Sequence, residues 1–217
     1  QYLRDVQSVL EIVDLNGRRV SAVTLAGVGT IAGMSARADS PELFYAFTSP
    51  LSPSTVFVHD VRTGAMRPFE EAKPAFDPSG YETKQFFATS KDGTRVPYFV
   101  TARKGIALDG NNPTLLYGYG GFSASMLPTW RPDVPAWLER GGVFVTANMR
   151  GGAEYGGEWH RAGMLEKKEN VFDDFIAVAE DLIRRGYASP RTLAIQGGSN
   201  GGLLVGAVMN QRPDLFA

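Results

Sequence analysis

Cysteine is absent from the 217 residues, which excludes a thiol nucleophile, a disulfide framework and a thiolate metal site within them. Histidine is nearly absent, with only His59 and His160 present. Neither charge sign is in excess: 22 Lys and Arg face 23 Asp and Glu, and a net charge of −1 leaves no electrostatic footprint for nucleic acid. No apolar run approaches the roughly 20 residues that cross a bilayer as a helix, so no membrane partner is expected. No set of His, Asp and Glu has metal-ligand spacing, and the glycine-rich turn near the C-terminus lacks the Lys-Ser/Thr of a phosphate loop. No metal or cofactor is therefore expected. What remains is an ordinary globular composition, 43% hydrophobic and 21% charged, with room for more than one core.

Glycine, by contrast, is plentiful, and its placement is informative. Leu193-Ala194-Ile195-Gln196 reads as a strand, Gly197-Gly198-Ser199-Asn200-Gly201-Gly202 as a tight turn, and Leu203 to Met209 as an apolar helix. Gly-x-Ser-x-Gly between a strand and a helix is the nucleophile elbow of an α/β-hydrolase. The turn must be sharp, and glycines two residues either side of Ser199 leave room for strand and helix to pack closely. The serine hydroxyl is then presented at a helix N-terminus, where unpaired N–H groups favour developing negative charge. The chain order of this fold is Ser, then Asp or Glu, then His. No histidine follows Ser199, so its base is expected outside these residues.

The two halves differ in pattern. Residues 1–76 read as all-β: Val9–Val13, Leu43–Phe47 and Thr55–Val58 alternate and are separated by turn signals such as Asn16-Gly17 and Thr63-Gly64. Ile12-Val13-Asp14-Leu15-Asn16-Gly17 resembles Val58-His59-Asp60-Val61-Arg62-Thr63-Gly64, at a spacing of about one propeller blade. A plain meander is the simpler alternative. The charged and then Pro/Gly-rich stretch 70–80 is expected to be the boundary. Beyond it, from residue 77 to 217, strands at 84–88, 96–101, 114–117, 143–148 and 193–196 alternate with helical segments, the pattern of an α/β sheet. One helix is clear: Phe172, Phe175, Ile176, Ala179, Leu182 and Ile183 share a face, Asn170 is placed to cap it, and Gly186 follows its end.

The backbone N–H of Asn200, next after the nucleophile, is placed for one arm of an oxyanion hole, although an asparagine there also suits a strained turn. Gly118-Tyr119-Gly120-Gly121-Phe122 follows an apolar strand, and its density of glycine lets backbone approach a ligand. Its tyrosines either pack or donate to an oxyanion. His160 precedes Ser199 and so contradicts the chain order for a base; a structural hydrogen bond is the expected role. His59, beside a turn, is expected at the surface. Glu154 reads as a packing or salt-bridge residue, and the runs 166–169 and 70–71 as solvated surface.

Taken together, Tyr117-Gly118-Tyr119-Gly120-Gly121-Phe122, Asn148-Met149-Arg150-Gly151-Gly152-Ala153-Glu154-Tyr155-Gly156 with Trp159-His160, the elbow through Leu204, and Asn210 to Phe216 closely resemble the prolyl oligopeptidase family. Ser90-Lys91-Asp92-Gly93-Thr94 resembles the start of that peptidase domain. The resemblance covers the whole second half and implies a seven-bladed propeller, whose last blades are the all-β half, capping an α/β-hydrolase domain. It implies that Ser199 is the nucleophile, that the Asn200 N–H and the Tyr119 hydroxyl are the oxyanion donors, and that Phe122 lines the substrate pocket near the proline-binding site. One departure is Ala153, where the family usually carries a third glycine.

The activity implied is hydrolysis of short peptides after proline, through an acyl-enzyme on Ser199, in a protein that is a monomer. An oligopeptidase or carboxylesterase of other specificity stays open, because the fold hosts many acyl transfers, as does a non-catalytic hydrolase-like binding protein. The chain opens on Gln1 and stops at Ala217 just after a helical unit, so it is expected to be an internal fragment, inactive and poorly stable alone. A cytoplasmic location is expected, with a periplasmic one open.

Overall fold

The computed structural model describes residues 1–71 and 75–217. The predicted boundary stretch thus includes three residues, 72–74, that lie outside the described ones. Two compact units form, one from residues 1–78 with 127–132 and the other from 79–126 with 133–217.

The first unit is all-β. Strands β1 (Tyr2–Arg4), β2 (Gln7–Val13) and β3 (Arg19–Val23) make a three-stranded antiparallel sheet. Strands β4 (Thr30–Ala36), β5 (Glu42–Ser49), β6 (Ser52–Asp60) and β7 (Met66–Glu71) make a four-stranded meander in sequence order, the strand count of a propeller blade. The internal repeat has a structural cause. Asp14 and Asp60 each accept two backbone N–H bonds in the turns after β2 and β6, from Asn16 and Arg18 in one and Arg62 and Thr63 in the other. Gly17 and Gly64 close these turns at φ 80° and 75°, which glycine adopts without strain. Leu10, Val23, Ile31, Tyr45 and Phe47 form the core, and Ser8 Oγ accepts the Ile31 N–H at 3.0 Å.

His59 is not a surface residue. It lies in β6 between β5 and β7, opposite Leu43 and Met66, and is only 6% exposed. As β6 is an inner strand of the blade, the neighbouring residue Val58, on its other face, is buried as well.

The second unit holds a five-stranded sheet with helices. Strands β8 (Tyr81–Thr89), β9 (Arg95–Arg103), β10 (Thr114–Tyr117), β11 (Val143–Ala147) and β12 (Leu193–Gln196) lie in the order β12-β10-β11-β9-β8. Strand β10 runs parallel to both β11 and β12, whereas β8 and β9 form an antiparallel hairpin. Helices α1 (Val134–Glu139), α2 (Gly157–Arg161), α3 (Glu169–Arg184) and α4 (Asn200–Gln211) complete the unit. Among the described residues no helix is long and apolar enough to cross a membrane.

Helix α3 is the main brace. It buries Val171, Phe172, Phe175, Val178 and Leu182 in the core with Val100, Leu116 and Val145 of the sheet. Each such side chain contributes about 1.5–3 kcal/mol when fully buried. Asp181 accepts the Tyr98 hydroxyl at 2.6 Å, fixing the helix to β9. At the C-terminus Gly186 adopts φ 78°; its N–H bonds to Ile183 O, and that of Tyr187 to Leu182 O, a Schellman ending. The N-terminus departs from the expectation. Lys168 occupies the capping position, while Asn170 lies inside the first turn and donates to the Ala162 carbonyl.

Candidate active site

Strand β12 ends at Gln196 and α4 begins at Asn200, so the turn between them has three residues. Ser199 takes φ 55° and ψ −117°, a conformation a non-glycine residue holds at a cost of about 1–3 kcal/mol. Its side chain makes no capping hydrogen bond and it is exposed. The close approach explains the glycines. A Cβ on Gly197 would strike the Gly201 carbonyl, and one on Gly201 would lie 2.6 Å from the Gly118 carbonyl oxygen. The first helical bonds run from Gly201 N to Gly198 O at 2.8 Å and from Gly202 N to Ser199 O at 2.9 Å, so the Asn200 N–H precedes them at the helix N-terminus.

The loop after β10 packs onto this turn. Gly118 N–H donates to Gln196 O at 3.1 Å, and a Cβ on Gly121 would lie 2.6 Å from Asn200 Nδ2. Gly120 has φ 63°, and the Val171 side chain leaves no space for a Cβ there. The structure therefore brings Tyr119, half-buried, to the elbow through its backbone. Phe122 and Ser123 follow in the left-handed region, at φ 53° and 56°, and Phe122 is 78% exposed. An exposed aromatic on strained backbone is poor packing, which marks it as a candidate for ligand contact.

The segment after β11 supports the same loop. Gly151, at φ 90°, lies against Gly120, and its carbonyl accepts from Ser123 N–H at 3.1 Å and from His160 Nδ1 at 2.8 Å. A carbonyl only accepts, so His160 carries its proton on Nδ1 and is engaged in holding backbone. Farther along, Met126 is held from both sides: its N–H donates to Glu154 Oε1 at 2.9 Å, and its carbonyl accepts from Asn148 Nδ2 at 2.6 Å. Burial raises the Glu154 pKa. Gly152 has no room for a Cβ beside the Glu154 carboxylate, whereas Ala153 has none of the positive φ that would exclude a methyl group.

Beneath this loop Arg150 is clamped. Its Nη2 donates to Asp174 Oδ1 at 2.6 Å, its Nε to Asp174 Oδ2 at 3.0 Å and its Nη1 to Asp92 Oδ2 at 2.5 Å. The Arg150 N–H also donates to Asp174 Oδ2 at 3.0 Å. This ties the β8–β9 turn and α3 to the segment that carries Gly151.

Sequence reasoning missed Lys168, read as part of a solvated charge run. Glu166 and Lys167 are exposed, but Lys168 is half-buried and donates to Gly120 O at 2.8 Å and Asn200 Oδ1 at 3.2 Å. Asn200 Nδ2 in turn donates to Tyr119 O at 2.5 Å. The only available signal was that Lys168 directly precedes the amphipathic helix, on the side that faces the core.

Two family models match: the prolyl oligopeptidase family over residues 128–217, and its N-terminal beta-propeller domain over residues 1–72. A prolyl endopeptidase of Elizabethkingia meningoseptica is 43% identical over 99% of this chain and 30% of its own length. One from Dictyostelium discoideum is 42% identical over 99% of this chain and 29% of its own. A solved prolyl endopeptidase superposes with a TM-score of 0.90 at 47% identity, covering 99% of this chain and 32% of that one. Prolyl oligopeptidase B from Galerina marginata, bound to a 35-residue hydrolysis and macrocyclization substrate, gives 0.86 at 34% identity, over 95% and 30%. The chain thus spans about 30% of the length of the curated relatives it matches.

Proposed function

The chain belongs to the prolyl oligopeptidase family, its first unit from the propeller and its second from the α/β-hydrolase peptidase domain, and on that premise we propose that the intact protein is a serine peptidase cleaving short peptides after proline. Ser199 is the nucleophile. The observation that carries this reading is its backbone: an exposed serine at φ 55° heading α4, between Gly197 and Gly201, neither of which has room for a Cβ. Strain of this kind persists where geometry serves chemistry.

Ser199 Oγ attacks the carbonyl carbon, and its proton passes to a histidine outside these residues. The developing oxyanion is met by the Asn200 N–H and the Tyr119 hydroxyl, donors worth roughly 3–4 kcal/mol each in comparable acyl transfers. Phe122 offers an apolar face to the proline ring. Cleavage of matched peptides with proline or a basic residue before the scissile bond, alongside a simple ester, tests the specificity. Proline peptides are expected to have by far the highest kcat/KM. Equal rates on the basic peptide, or hydrolysis of the ester alone, would replace this reading with a related oligopeptidase or an esterase.

Tyr119→Phe separates an oxyanion donor from a pocket wall. A donor aimed at the transition state acts on kcat, so a fall of about 10- to 1,000-fold with little change in KM is expected. A change confined to KM would make Tyr119 part of the pocket.

A further inference from the structure

The Tyr119 loop is rich in glycine and yet is held in one place. Gly118, Gly120 and Gly121 flank or follow Tyr119, so its backbone alone restricts it little. Two carbonyls at its centre are nevertheless fixed by side chains: that of Tyr119 by Asn200 Nδ2, and that of Gly120 by Lys168 Nζ. Lys168 also donates to Asn200 Oδ1, so the ammonium, the amide and the two carbonyls form one closed network. Both Lys168 acceptors are neutral oxygens, and burial lowers the Lys168 pKa. The residue stands at the start of α3, whose first turn places Val171, fully buried, against Gly120. The network thus connects the loop to the longest helix of the unit.

Resting on the assignment of Ser199 and Tyr119 above, we propose that Lys168 is a positioning residue: through Asn200 and the Gly120 carbonyl it holds the Tyr119 loop where the oxyanion forms. An asparagine side chain has two rotatable bonds, and its amide orientation is set by its partners. With Lys168 in place, Asn200 Oδ1 faces the ammonium and Nδ2 must face Tyr119. Without it, the Gly120 carbonyl and Asn200 Oδ1 lose their shared donor, and the amide no longer has one preferred orientation. Displacing a reacting group by about 1 Å costs up to 100-fold in rate. Substrate contacts elsewhere are untouched, so the loss should fall on the transition state.

The experiment uses the intact protein with Lys168→Met, which keeps the length of the side chain without its charge and donors, and Lys168→Arg, which keeps both. The readouts are kcat and KM on a proline peptide, inhibition by a peptide aldehyde that forms a tetrahedral adduct with serine, inhibition by the corresponding peptide acid, and labelling of Ser199 by a fluorophosphonate. For Lys168→Met, kcat should fall about 10- to 100-fold with KM within about twofold. Aldehyde affinity should fall in parallel with kcat/KM and acid affinity should hold. Lys168→Arg should recover most of the loss. An unchanged kcat, or equal losses for aldehyde and acid, would overturn the proposal. If Lys168→Met does not fold, Asn200→Ala carries the test, since it removes the amide but keeps the backbone N–H; the same loss confined to kcat is expected, and an unaltered kcat overturns it. A wild-type protein that is not labelled at Ser199 would instead refute the site assignment beneath it.

Discussion

Ser199→Ala is expected to remove peptide hydrolysis while leaving the cooperative thermal transition of the intact protein in place. Deleting the nucleophile of a serine hydrolase lowers kcat by on the order of 10⁶, and what remains comes from binding and oxyanion contacts. The fold should tolerate the change because the Ser199 side chain is exposed and caps nothing in α4. The strained backbone at this position stays the same, since alanine has no easier access to φ 55° than serine. Stability should therefore move by less than about 0.5 kcal/mol, as for surface substitutions generally. Activity of the alanine variant near that of the wild type would rule out Ser199 as nucleophile.

The largest expected loss of stability lies away from the nucleophile. Asp174→Ala should destabilise the second unit by about 3–5 kcal/mol, because it strands a buried guanidinium without its principal partner. Arg150 is 5% exposed and Asp174 not at all, and three of the hydrogen bonds between their side chains disappear together. Asp92 contributes differently. Its side chain is 46% exposed, and the Arg150 guanidinium lowers its pKa to about 2. An unfolded aspartate titrates near 3.9. As the folded value is the lower one, the stabilisation from Asp92 is fully present above about pH 4 and is lost as pH falls towards 2. Urea unfolding of wild type, Asp174→Ala and Asp92→Asn across pH 2–6 checks both claims. Asp92→Asn should flatten part of the acid slope at a small cost near neutrality. Asp174→Ala should lower stability at every pH, and a cost below about 1 kcal/mol would show that Arg150 finds other partners.

The parts of the fold legible in the sequence are those written locally. The strand–turn–helix around Ser199 follows from an apolar run, a glycine cluster and a second apolar run. The period-2 runs of the first half became β2, β5 and β6, and the two similar Asp-to-Gly segments recur in the structure as turns built on Asp14 and Asp60. Helix α3 was readable from its apolar face, and its ending from Gly186 after the basic pair Arg184-Arg185. What was not legible depends on partners distant in sequence. Lys168 differs from its exposed neighbour Lys167 only by its place on the core side of the helix start, and its role shows only once the Gly120 carbonyl, 48 residues earlier, is placed beside it. The Arg150–Asp174–Asp92 clamp joins three segments that share no pattern. His59 looked exposed because it stands near a turn; only the strand order shows it in the interior of a blade.

The most direct test of the central claim is to trap the acyl-enzyme. The intact protein is mixed with an activated ester of a peptide ending in proline, quenched in acid within milliseconds and measured by intact mass, followed by peptide mapping. The mass of the acyl group should be found on Ser199 alone, appear in a burst and be missing from Ser199→Ala. Rapid turnover of the ester with no covalent adduct, or an adduct on any other residue, would contradict the assignment.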